Sequence, residues 1–157
     1  MGKFNNKISA EYHPPRKWIL ERALSYTNDD IKSEALTAVG LGGKEKEVKC
    51  TKGFVTDLAS VPRICWMFIA PWDVARAAII HDLLYKTIRV YRAKNKGLKQ
   101  EDSKVISAAK KESDKVFLMA MKDAEPSVPK WKIYAAYYAV VLFGRWSIIP
   151  REEDKNA

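Results

Sequence analysis

Cysteine is scarce in this chain of 157 residues, and the two present, Cys50 and Cys65, form no CxxC pair and have no histidine at zinc-ligand spacing. Neither a disulfide framework nor a structural zinc centre is indicated, and a reducing compartment suits the composition. GxSxG, P-loop and HExxH patterns are also missing, so serine-nucleophile, nucleotide and zinc-hydrolase readings have no foothold. Behind MGKFNNKISAEYH no apolar run follows, and position 6 is Asn where myristoylation needs Ser or Thr. No export signal or lipid anchor is expected. The apolar stretch from Ile133 to Phe143 is closed by Lys132 and Arg145, well short of the roughly 20 residues that cross a bilayer. Internal repeats and low-complexity segments are absent.

What is present points to one folded domain over residues 1–157, with its core at about 18–146 and a polar, frayed tail at 150–157. Hydrophobic residues make up 47% of the chain and charged residues 30%, a balance of globular rather than disordered proteins. The net charge of +9 draws such a protein toward polyanions and makes that attraction salt-sensitive. Lysines alternate with acids in KEKEVK and KKESDK, as on a solvated surface. No cluster of Arg, Asn and Gln suited to reading bases is visible, so nucleic acid is not specifically indicated.

The pattern predicts an α+β fold, a small antiparallel N-terminal sheet followed by about three long helices. Strands are expected near Trp18 to Tyr26 and Glu47 to Phe54, where β-branched and aromatic residues recur between Gly-rich turns. Between them, Asp29 or Asp30 could cap a short helix reaching Val39, with Gly40 ending it. Apolar residues at spacings of three and four from Val74 through Val90 predict the first long helix. Gly97 marks a turn, and a second helix is expected from a cap at Asp102 or Ser103 to Met121. WKIYAAYYAVVLFGRW makes the third, ending around Gly144. It reads as a helix packed on the other two, or as one presenting Tyr134, Tyr137, Tyr138 and Trp146 to an interface.

The first long helix carries AAIIHDLLY, an apolar run interrupted by His81 and Asp82. On a helix these two lie about 100° apart, while Tyr85 is one turn from each, so all three could rim one pocket. Buried polar groups need partners. Asp114, inside the second helix, faces His81 if the two helices are antiparallel, and a carboxylate on one imidazole nitrogen fixes the tautomer of a general base. Asp57, in GFVTDLASVPR beside Thr56 and Ser60, could ligate a cation together with Asp82 or serve as a turn or cap device. Arg63 could pair with an acid or bind an anionic group. The same residues could equally form a satisfied structural network.

GFVTDLASVPR, AAIIHDLLY, ESDKVFLMAM and YYAVVLFGRW, in this order, resemble a phage and prophage family known as domain of unknown function 1353, over about Trp18 to Trp146. That resemblance implies a small phage-encoded protein, in the host cytoplasm or the virion, and brings no established activity. The HDxxY helix pair is also distantly similar to secreted phospholipase A2. This implies His81 activating water, Asp82 holding a divalent cation such as calcium, and Tyr85 bonding an Asp114 that orients His81. The disulfides and Gly-rich calcium loop of that family are lacking, so GFVTDLASVP with Asp57 would have to substitute. Two functions stay open: a hydrolase-like, metal-assisted centre for an ester or phosphoester, and a non-catalytic virion or host-interaction protein. Partners expected are other virion proteins or an anionic host surface.

Overall fold

The structure, a computed structural model, describes residues 1–15, 17–57, 74–95, 100–125 and 127–157. Ser60, Pro62, Arg63, Cys65 and Gly97 lie outside the described residues, as do the expectations attached to them. The architecture is α+β, as the sequence pattern predicts. Strands β1 (Lys3–Phe4), β2 (Ala10–His13), β3 (Lys17–Leu20), β4 (Leu24–Thr27), β5 (Glu47–Cys50) and β6 (Val55–Thr56) precede three long helices. These are α2 (Ala75–Lys94), α3 (Gln100–Lys122) and α4 (Lys130–Ser147), with a short α1 (Ser33–Thr37) among the strands.

Each of the two expected strands turns a corner and enters a second sheet. The strands form two antiparallel three-stranded sheets, ordered β1-β4-β5 and β2-β3-β6. At the first corner the Glu21 amide donates to the Ser9 carbonyl, and the Arg22 guanidinium donates to that of Lys7. At the second, Gly53 takes φ 88° and donates its amide to the Leu20 carbonyl. That left-handed conformation suits glycine. Register does the rest. Leu24 lies opposite Cys50 and Tyr26 opposite Val48, so four buried side chains share one face and meet Ile80, Leu84, Phe117 and Met121 of the helices.

Asp123, just past α3, ties the sheet to that helix by accepting from the Gly2 amide, the Tyr26 hydroxyl and Asn28 Nδ2. Burial and the Asp123 bond push the Tyr26 hydroxyl well above its ordinary range.

Helix α2 is the central element, buried over most of its circumference from Ala75 to Arg89. Its pairing with α3 is antiparallel: His81 meets Asp114 while Tyr91, ten residues on, meets Asp102. Asp102 lies inside the first turn of α3, which already begins at Gln100, and is not its cap. Helix α1 likewise starts later than Asp29 or Asp30 suggests, while Gly40, at φ 99°, follows it as expected.

Helix α4 runs through Gly144 to Ser147. Gly144 does not end the helix; it allows close approach, because a Cβ there would collide with the Tyr85 hydroxyl. The tail is not frayed. Residues Glu152–Asn156 form a 3-10 turn in which buried Asp154 accepts from the Arg151 amide (2.8 Å) and from Arg89 Nε of α2 (3.0 Å).

Candidate functional site

The heptad-like spacing of α2 points His81 and Tyr85 at the same stripe of α3, one turn apart. Their common target is Asp114. His81 Nε2 stands 2.9 Å from Asp114 Oδ1, and the Tyr85 hydroxyl donates to that same oxygen at 2.5 Å. The other oxygen accepts from Lys110 Nζ at 2.7 Å, four residues earlier on α3. Lys110 also donates to the Val140 carbonyl of α4 at 3.3 Å. Three helices therefore converge on one carboxylate. The His81 ring lies against Tyr85 and Phe117, with centroids 4.0 and 4.7 Å away.

Electrostatics follow from this geometry. Burial works to raise the Asp114 carboxyl, but hydrogen bonding to His81, that ring's charge, and the Lys110 and Tyr85 bonds outweigh it and hold Asp114 below its usual range. Tyr85 is pushed the other way by burial and by the Asp114 charge, so it stays a protonated donor. Since the carboxylate only accepts, Nε2 is the nitrogen that donates to Asp114. His81 is 0% exposed, and among the described residues Nδ1 has no hydrogen-bond partner.

Asp82 turns about 100° away, toward the sheets. Its Oδ2 accepts from Thr56 Oγ1 of β6 at 2.7 Å. It borders a cavity of about 230 Å³ whose lining also includes Asp57, Lys17, Lys86, Arg89 and Arg151. The structure thus brings His81, Tyr85 and Asp114 together, and separately brings Asp82 and Asp57 to one cavity. Asp57 lies 3.6 Å from Arg151 Nη1. With Glu153 also in the lining, three carboxylates stand beside four basic side chains, a poor cradle for calcium, which takes six to eight oxygens. Among the described residues no group of three or more His, Cys, Asp or Glu could hold a metal, so the described donors do not fit that ion.

Nearby, the Cys50 thiol donates to the Ile79 carbonyl at 3.7 Å and is pushed far up by burial and the Asp82 charge. It is an inert core thiol.

The model of the family described as "Protein of unknown function (DUF1353)" matches residues 35–140, about two thirds of the chain. The chain belongs to this family. The DUF1353 match contains Asp57, His81, Asp82, Tyr85, Lys110 and Asp114, and it ends inside α4. Searches of curated proteins and of solved structures give no match.

Lys110 is the member of the network that reasoning from sequence missed. Its signal was available: a lysine four residues before a helical aspartate is a standard i,i+4 pair. The buried ion pair Arg89–Asp154 was missed for a different reason. Its partners are 65 residues apart, and nothing local announces the contact.

Proposed function

We infer that His81 is the general base of a hydrolase-like centre acting on an ester or phosphoester, with Asp114, Tyr85 and Lys110 as positioning residues. The observation that carries this reading is a buried His81 bonded to Asp114 through Nε2, with no hydrogen-bond partner for Nδ1 among the described residues. Leaving a buried acceptor unpaired costs about 1–3 kcal/mol, a cost that a water held at Nδ1 for reaction would remove. In this scheme a water gives its proton to Nδ1 as its oxygen bonds to the carbonyl carbon or phosphorus. Asp114 stabilises the imidazolium, which returns the proton to the leaving alkoxide. The phage origin and the placement in host cytoplasm or virion, implied by the motif set, belong to the same reading.

A second reading rests on the burial of the ring: at 0% exposure the network would be architecture in a non-catalytic virion or host-interaction protein. Hydrolysis of a panel of nitrophenyl carboxylic and phosphoric esters, with and without added calcium, separates the two. The hydrolase reading expects turnover that falls roughly 10²–10⁴-fold in His81→Gln. No turnover on any ester, alongside a His81→Gln variant that only melts earlier, would establish the architectural reading instead.

A further inference from the structure

Helix α4 is apolar on two opposite sides. One side, with Ile133, Ala136, Val140 and Gly144, packs into the molecule. The other carries Trp131, Tyr134, Tyr138, Leu142 and Trp146 to solvent, with exposures from 39% to 63%. On helical spacing Trp131, Tyr138 and Leu142 lie within about 20° of one line, flanked by Tyr134 and Trp146. From Trp131 to Trp146 the stripe runs about 23 Å along the helix. A run of large exposed apolar side chains on that scale is characteristic of a docking surface. Of the four residues that the sequence suggested for an interfacial face, Tyr134, Tyr138 and Trp146 are on it, and Tyr137 is half-buried against the core.

The charges around the stripe select its occupant. Between residues 130 and 149 there is no acid, while Lys130, Lys132 and Arg145 are present. Cations sit over the aromatic rings: Arg145 Cζ is 4.3 Å from the Trp146 centroid, Lys122 Nζ 5.2 Å from Tyr134, and Lys132 Nζ 5.8 Å from Trp131. A second copy of the chain docked on this face would set like charges together with no carboxylate on the helix to answer them. An anionic bilayer answers both features at once. Its phosphates meet the cations, and its acyl boundary accepts the apolar stripe, with Trp and Tyr at headgroup level. No helix among the described residues is long and apolar enough to cross a membrane, which leaves a helix lying in the interfacial plane.

We propose that the outer face of α4 docks this protein on an anionic lipid surface. This stands on the α4 face alone and does not depend on catalysis at His81. The test is sedimentation of the full chain with vesicles of phosphatidylcholine, alone or with phosphatidylglycerol, across a salt series. Binding should require phosphatidylglycerol, weaken with salt, and drop at least about tenfold in Leu142→Glu, the scale set by losing one buried leucine from the interface. Trp146→Ser should act alike, and both variants should keep the wild-type melting temperature, since these side chains are exposed.

Three outcomes overturn the proposal. Absence of binding to either vesicle does so outright. Undiminished binding by Leu142→Glu would reduce the effect to adsorption of a +9 protein by charge alone. A dimer dissolved by the same substitutions, without vesicle binding, would assign the face to a second copy.

Discussion

Asp114 is a carboxylate that the fold keeps ionised against the tendency of its own burial. Three donors, from His81, Tyr85 and Lys110, hold it below its ordinary range. An acid with a lowered folded pKa stabilises the fold fully above its unfolded value of about 4, and that contribution drains as pH falls through the folded value. Denaturant melts of the wild type should therefore lose stability progressively below about pH 4, and Asp114→Asn, less stable at neutral pH, should show a shallower slope in the same range. Equal slopes for the two proteins would count against this account. The residue-level site was largely legible because helical spacing places His81 and Tyr85 on one stripe, and antiparallel pairing of the two helices then brings Asp114 to it. Which way Asp82 turns was not legible. One residue rotates the side chain by about 100°, and only the position of β6 shows that Thr56 receives it.

At the scale of elements, the three long helices follow from apolar periodicity, whereas the strands needed the corners. Trp18 to Tyr26 reads as one strand because its residue types continue through the break, yet Glu21 and Arg22 are bonded to the segment before β2 and redirect the chain. Gly144 was misjudged for a related reason. Glycine near a helix end suggests termination, but here it makes room for Tyr85 where α4 crosses α2. In an open helix Gly→Ala would gain about 0.5–1 kcal/mol. Here the added methyl meets a buried ring, so Gly144→Ala is expected to lose about 1–3 kcal/mol by overpacking and to disturb the Tyr85–Asp114 bond. A thermal melt reads the first effect. A variant as stable as the wild type would show that α4 shifts freely.

At the scale of the whole molecule, the Arg89–Asp154 pair fastens the last segment to the central helix. Both side chains are almost wholly buried, at 5% and 0% exposure. Removing one partner strands the other charge, so Asp154→Asn should cost about 3–5 kcal/mol, while Arg89→Met with Asp154→Leu should recover most of that loss. A double-mutant cycle by denaturant unfolding measures the coupling, and additive losses would mean the pair contributes nothing as a pair.

The sequence by itself determined the α+β class and the central helix, and named Asp114 as the acid His81 meets if the two helices pair antiparallel, because each depends on local periodicity and on short spacings that any helix must obey. It also marked α4 as apolar on more than one side. Tertiary structure alone decided that the strands divide between two sheets, that the tail packs instead of fraying, that Asp82 and His81 face different surroundings, and that one side of α4 is left uncovered by the other described residues. Those outcomes depend on which distant surfaces meet, and contacts between residues 65 apart leave no periodic trace in the chain.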